Sequence, residues 1–258
     1  MIGPHVTRPE EQWEKSGVKI AACYPSQLTP DYERLMTIKR EAVLELLSPL
    51  AGKKVLDAGT GRAPFAIDLA SNGTASVVAL DISERMLRIA RENARQANVE
   101  SKITFMQCDA ESIPLEDRSF DAVVGIDLLL HLPDPKKAVA EWSRLLKNKG
   151  QLIIDFVPLN PISAFFGLTL IDPTLKKRIL SFLGVAANDF LSLIFGFAWG
   201  RTRFTNRLYY RFFNVPFKHY TKRRVYHLLK QNNIRIKTIK RYGHRFMPFG
   251  FMICGYKN

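Results

Sequence analysis

Four acids and two glycines occupy positions from which a chain could grip a polar ligand. In VLDAGTGRAPFAIDLA, residues 55–70, an apolar run ends in Asp57, and Gly59 and Gly61 follow at alternate positions. Glycines in a turn between a strand and a helix let backbone N–H groups come close to an anionic or polar ligand. Where a third glycine would complete a dinucleotide-type turn, the chain has Ala63 and then Pro64. Asp81 ends the next apolar run, 22 residues after Gly59, the distance at which an acid accepts hydrogen bonds from ribose hydroxyls. Asp109, in CDAESIPL, closes a third run, where it could accept from an adenine amino group, and Asp127 closes a fourth. Each has a local alternative: a tight turn for the glycines, a helix N-terminal acid for Asp81, a strand-end turn for Asp109.

Asp57 decides between ligand classes. A dinucleotide turn aims a helix N-terminus at a pyrophosphate, which a carboxylate at Asp57 would repel. The same carboxylate would welcome a cationic amino group. The pattern therefore favours a nucleoside bearing an amino acid over a dinucleotide.

The elements that must position these residues follow from hydrophobic periodicity. Thr29-Pro30-Asp31 reads as a helix start, with YERLMTIKREAVLELL as the helix. Strands are expected in KKVLDAG, SVVALD (76–81), KITFMQCDA (102–110), FDAVVGID (120–127) and QLIIDFVP (151–158). Between them lie amphipathic helices: PFAIDLASNG, ERMLRIARENARQANV capped by Ser83, and KKAVAEWSRLLKN, which stops at Gly150. Apolar strands alternating with helices imply a parallel sheet covered on both faces. After Thr221 come a helix, KRRVYHLLKQNN, and two strands, IRIKTIKRY (234–242) and FGFMICGYK (249–257), joined closely enough for an antiparallel hairpin.

Charge is distributed unevenly. Residues 1–150 hold 20 Lys+Arg against 21 Asp+Glu, whereas residues 151–258 hold 18 against 3. The C-terminal part thus carries the whole excess of +14, which suggests an anionic partner. The 3 Cys and 5 His are scattered, with no CxxC or HExxH spacing, so neither a disulfide framework nor a metal site is expected. The N-terminus has early acids and no apolar core, which predicts no signal peptide and a cytoplasmic setting.

VLDAGTGRA, VVALDIS and CDAESIPLEDRSFDAVVGIDLLLHLPDPKKAVAEWSRLLKNKGQLIIDF together resemble the class I S-adenosylmethionine-dependent methyltransferases. They are most similar to the branch of quinone-biosynthesis C-methyltransferases and small-molecule methyltransferases. The resemblance is close over residues 30–158 and loose over 221–258. It implies an α/β, Rossmann-like doubly wound sheet of about seven strands. The sheet would be mostly parallel with an antiparallel C-terminal hairpin, plus a helical lid inserted after strand five. The implied segments are an N-terminal arm (1–30), a cofactor-binding core (31–158), a lid (159–220) and the end of the core (221–258).

The resemblance also implies a cofactor, S-adenosylmethionine, with S-adenosylhomocysteine as product, and a set of contacts. Asp57 would hold the methionine amino group, and Gly59, Thr60 and Gly61 would line that moiety. Asp81 would bind the ribose hydroxyls, with Ile82 and Met86 packing near the adenine. Asp109 and the Ala110 N–H would read the adenine edge. Ile126 and Asp127 would sit near the methyl-bearing sulfur. His131 matches the second position of the family's frequent His-His pair; the first is Leu130, so a role for that first histidine does not transfer.

Methyl transfer from a sulfonium is an in-line displacement with a good leaving group, so the protein mainly supplies geometry and a desolvated site. Asp127 and His131 are the candidate bases. A structural role for His131, holding the strand-four loop, is the alternative. Tyr24, His219, Tyr220 and His244 are weaker candidates. The 62 residues 159–220 are rich in Phe, Leu and Ile and end in a basic-aromatic stretch, which suggests a lipid-like or prenylated small-molecule acceptor. The basic residues would rest the protein on an anionic membrane surface. The longest charge-free run, residues 156–171, has 16 residues and two prolines, short of the ~20 a membrane span needs. Alternative readings are the lid's own core or a dimer interface for the apolar residues, an RNA methyltransferase, and a non-catalytic S-adenosylmethionine-binding protein. A nicotinamide oxidoreductase is disfavoured by Asp57.

Overall fold

The computed structural model describes residues 30–74, 76–156, 220–243 and 248–258. Nearly all of the N-terminal arm and the lid expected over 159–220, Tyr220 excepted, lie outside the described residues.

Helix α1 (Pro30–Leu47) precedes strand β1 (Lys54–Ala58), helix α2 (Pro64–Ser71), strand β2 (Ser76–Asp81) and helix α3 (Glu84–Gln96). Strands β3 (Ile103–Gln107) and β4 (Phe120–Gly125), helix α4 (Pro135–Leu145) and strand β5 (Leu146–Phe156) follow. Helix α5 (Lys222–Gln231) and strands β6 (Ile234–Gly243) and β7 (Pro248–Lys257) close the fold. The sheet has seven strands in the order β3-β2-β1-β4-β5-β7-β6. β1 to β5 run parallel to one another, and β7 pairs antiparallel with both β5 and β6. The doubly wound architecture and the C-terminal hairpin are as the pattern predicts.

Residues alternate between the two faces of the sheet, so each strand feeds two cores. Leu56, Val123, Leu152 and Ile154 pack with Val139 and Trp142 of α4 and with Val225 and Leu229 of α5. Val55, Val77, Val124 and Ile153 pack with Val43 and Leu47 of α1, Phe65 and Leu69 of α2, and Ala90 and Ala94 of α3. This explains why the strands read as continuous apolar runs: both faces are buried.

Helix starts follow local chemistry. Ser83 Oγ accepts from the Met86 N–H, Asp134 accepts from Lys136 and Lys137, and Thr221 accepts from Arg224. Each side chain satisfies a donor that the first helical turn leaves unpaired.

One boundary differs from the periodic reading. The helix expected to run through Asn148 ends at Leu145, and β5 starts at Leu146 rather than Gln151. Leu146 is fully buried and pairs with Phe120, and the next pair is Gln151 with Ala122. Lys149 takes φ +63° within this bulge. Burial of Leu146 on the sheet overrides the helical propensity of the sequence around it.

Candidate functional site

Carboxyl ends of parallel strands gather the acids singled out by the sequence. The strand order reverses between β1 and β4, and in doubly wound sheets ligands bind at that crevice. Asp57 lies in β1, one residue before its end, and its side chain is folded beneath the turn, 2% exposed. Thr60 Oγ1 donates to Asp57 Oδ2 at 2.6 Å, and the Thr60 N–H donates to the Leu80 carbonyl at 2.8 Å. Burial pushes the Asp57 carboxyl up to about 7, against hydrogen bonds from Thr60 and the Ala66 backbone; Asp81 adds a smaller upward push.

The turn uses both glycines, for different reasons. Gly59 has φ +67°, and a Cβ there would sit 2.7 Å from Leu128 Cδ1. Gly61 has φ +56°, but a Cβ there would meet nothing within 4 Å. Only the first is demanded by contact; both are demanded by backbone conformation. Ala63 is also left-handed, φ 64°, at the N-cap of α2, with Pro64 as the first helical residue. Pro64 has no N–H to leave unpaired there.

Asp81 is engaged on both oxygens by backbone. Oδ2 accepts from the Gly61 N–H at 2.9 Å, and Oδ1 accepts from the Ser83 N–H at 3.0 Å. The acid thus ties the glycine turn to the start of α3, beside half-buried Ile82 and Met86. At the third tip, Asp109 Oδ1 accepts from the Glu111 N–H at 2.8 Å, and Ala110 is 6% exposed. Glu111, which the motif reading passed over, accepts from the Asp134 N–H at 2.6 Å. It thereby joins this loop to the N-cap of α4. Burial pushes its carboxyl upward.

At the fourth tip the chain leaves β4 at Gly125. Ile126 is 5% exposed and Asp127 adopts φ 55°. The Asp127 N–H donates to Asp155 Oδ1 at 2.7 Å, and its carboxylate Oδ1 meets Lys39 Nζ at 2.5 Å. Lys39 Nζ also lies 2.9 Å from Asp155 Oδ2, which accepts from the Tyr242 hydroxyl at 2.8 Å. Nζ sits 4.8 Å from the centre of the Tyr242 ring. Burial opposes the Lys39 charge, but Asp127, Asp155 and Tyr242 outweigh it and hold its pKa well above the ordinary lysine value. Burial pushes Asp155 upward against the pull of Lys39, with Asp127 adding to the upward push. Burial, then Asp155, holds the Tyr242 hydroxyl well above its ordinary value.

His131 is half-buried, and its N–H donates to the Leu128 carbonyl at 2.9 Å, closing the turn after Asp127. Leu130, in place of a first histidine, is buried. Tyr220 is buried too, its hydroxyl donating to the Leu129 carbonyl at 3.0 Å, and burial pushes it up to about 12. Its hydroxyl thus serves the loop after β4 as a structural donor. Tyr24, His219 and His244 lie outside the described residues. Among the described residues, no group of three His, Cys, Asp or Glu could hold a metal. None of their helices is long and apolar enough to cross a membrane.

Lys39, Asp155 and Tyr242 were missed by motif reading: Lys39 and Tyr242 come from segments outside the motifs, and Asp155 lies at the end of the last of them with no contact assigned to it. Two signals were available. Lys39 falls on the apolar stripe of α1, between Met36 and Val43, and Asp155 interrupts the buried run of β5. A charge in either place needs a buried partner.

Comparison with known proteins agrees with this geometry. Residues 56–154 match the family described as "Methyltransferase domain". Over 114 residues the chain is 35% identical to Methyltransferase GfsG of Streptomyces halstedii, covering 44% of this chain and 41% of that protein. Over 132 residues it is 33% identical to the ubiquinone biosynthesis O-methyltransferase of Alkalilimnicola ehrlichii, covering 51% and 52%. The chain spans about half the length of the curated relatives it matches. A crystal structure of magnesium protoporphyrin IX methyltransferase from Synechocystis PCC 6803, with bound S-adenosylhomocysteine, superposes with a TM-score of 0.66 at 19% identity, covering 96% of this chain and 98% of that one. At that identity the likeness speaks for the fold. Residues 56–154 thus carry a methyltransferase-domain pattern, and the chain is similar to small-molecule and quinone-type methyltransferases.

Proposed function

We propose that the protein binds S-adenosylmethionine across the tips of β1 to β4 and transfers its methyl group to a small, apolar acceptor. The observation that carries this reading is the row of acids Asp57, Asp81 and Asp109 at three adjacent strand ends, around a glycine turn. Three carboxylates suit a ligand with an amino group, ribose hydroxyls and a base amino group. They disfavour a pyrophosphate, whose charge each would oppose.

Asp57 takes the amino group, with Gly59, Thr60 and Gly61 along the methionine chain. Asp81 takes the ribose hydroxyls, Ile82 and Met86 flank the adenine, and Asp109 with the Ala110 N–H takes its edge. Ile126 and Asp127 stand at the reacting end. The cofactor supplies an activated methyl group on a neutral leaving group. The chain aligns an acceptor with it and keeps water away. Asp127 and His131, on the loop after β4, are the candidates to receive an acceptor proton.

The apolar nature of the acceptor is supported by the Phe-, Leu- and Ile-rich composition of residues 159–220. It is also supported by the relation to a ubiquinone-biosynthesis enzyme. The basic C-terminal part, with exposed Lys222, Arg223, Arg224, Arg235 and Arg241, favours contact with an anionic membrane, at about 1 kcal/mol per basic residue near such a surface.

Incubation with methyl-tritiated S-adenosylmethionine and a cell lysate tests the acceptor class. Protein-dependent label in the organic phase is expected; label confined to water-soluble products contradicts the apolar acceptor. Vesicles containing phosphatidylserine should sediment the protein at low salt and release it at high salt. Equal sedimentation with neutral phosphatidylcholine contradicts the membrane contact.

A further inference from the structure

One buried charge cluster lies outside the cofactor motifs yet reaches the cleft. Lys39 comes from α1, Asp155 from β5, Tyr242 from β6 and Asp127 from the turn after β4. All but Asp127 are buried: the side chains of Lys39 and Asp155 are 4% and 1% exposed, against 41% for Asp127. Tyr242 is 5% exposed. The cluster thus has a buried root and one carboxylate that reaches solvent.

Its connections are directional. Asp155 accepts the main-chain N–H of Asp127 on one oxygen, and Lys39 and the Tyr242 hydroxyl on the other. Lys39 in turn binds the side chain of Asp127. Main chain and side chain of Asp127 are therefore tethered to the same buried pair. Asp127 also holds φ 55°, an uncommon conformation for a residue other than glycine, although aspartate visits it more readily than most. The tethers hold the turn in that conformation from two sides.

We propose that Lys39, Asp155 and Tyr242 are positioning residues that fix the backbone turn and carboxylate of Asp127 at the reacting end of the cleft. This inference rests on the methyl-transfer reading for its consequence in catalysis, but not for its structural part. A tethered carboxylate at the β4 tip keeps a fixed direction toward an incoming acceptor, and misplacement of a reacting group by about 1 Å can cost about a hundredfold in rate. The cluster also couples α1 to the β4 tip, so α1 contributes to the site without contributing a catalytic residue.

Removing Lys39 alone strands two acids and risks unfolding, so the test uses two other variants. Tyr242→Phe removes one donor to Asp155. The triple variant Lys39→Met/Asp155→Leu/Tyr242→Phe replaces the buried charges by apolar groups, a change that folded proteins commonly tolerate. The first readout is amide hydrogen exchange of the peptide around Asp127 in the ligand-free protein. Exchange about tenfold faster or more in the triple variant is expected for a lost tether; unchanged exchange overturns the inference. The second is methyl transfer from tritiated S-adenosylmethionine to a total lipid extract. A kcat reduced about tenfold to a hundredfold, with KM for S-adenosylmethionine within about twofold of the parent, is expected for a displaced Asp127. An unchanged kcat, or a loss confined to KM, overturns it. If the parent protein transfers no methyl group to any acceptor, the methyl-transfer reading fails by itself, and the exchange measurement still decides whether the cluster holds Asp127.

Discussion

Thr60 donates its hydroxyl to the buried Asp57 carboxylate at 2.6 Å, and this contact moderates a response to pH that burial sets. Burial places the Asp57 pKa at about 7, and the Thr60 hydrogen bond pulls against that rise. The ligand amino group should be held by the ionised form. Affinity for S-adenosylhomocysteine, measured by titration calorimetry, should therefore fall about tenfold per pH unit below the Asp57 pKa. It should fall again at alkaline pH, where the amino group of the ligand loses its proton. In Thr60→Val the lower inflection should move up by about one unit, since a hydrogen bond to a charged group contributes about 1.5–3 kcal/mol. An inflection that stays in place contradicts the assignment.

The same group makes stability depend on pH with a defined sign. The folded-state pKa of Asp57 is raised from 3.8 to about 7, so between these values the folded ligand-free protein binds more protons than the unfolded chain. Its contribution is fully present below about 3.8 and is lost as pH rises through about 7. Asp57→Asn should show a shallower fall of Tm between about pH 4 and 7, the span between the two values. It should also melt higher than the parent at the alkaline end. A parallel pair of Tm profiles contradicts this.

Two of the three left-handed positions of the turn, Gly59 and Ala63, should respond differently to substitution. Gly59→Val places a branched side chain at φ +67° and against Leu128; it should cost about 2 kcal/mol, lower Tm by about 5 °C and abolish binding of S-adenosylhomocysteine. Ala63→Gly relieves a left-handed alanine, a gain of about 1 kcal/mol, but loses a buried methyl contributing about as much. Tm should change by less than about 2 °C and affinity by less than about twofold. A large effect at Ala63 would show that its methyl group has a role beyond packing.

Strand and helix positions were legible because the sheet is buried on both faces and punctuated by caps: SVVALD reads as a strand and is one, residue for residue. The end of α4 was not, since Leu146 fits a helical stripe and a strand equally well, and only its pairing with Phe120 decides. Asp57, Asp81 and Asp109 were legible through spacing along contiguous motifs, and the structure brings them to neighbouring strand tips. The left-handed Ala63 was not, because alanine at that position reads as a packing choice. The Lys39–Asp155–Tyr242 root was hidden for a different reason: its members are 116 and 87 residues apart in sequence and meet only when β6 joins the sheet two strands from β5 and α1 packs against both. Composition alone carries the expectation of an apolar lid over 159–220, outside the described residues.

Binding of S-adenosylhomocysteine to the parent protein and to Asp57→Ala, measured side by side by titration calorimetry near neutral pH, tests the central claim most directly. The parent should bind, and the variant should lose affinity about a hundredfold, the cost of removing one partner of a buried charge pair. Equal affinity in the two proteins, or binding of a nicotinamide dinucleotide in place of S-adenosylhomocysteine, would contradict it.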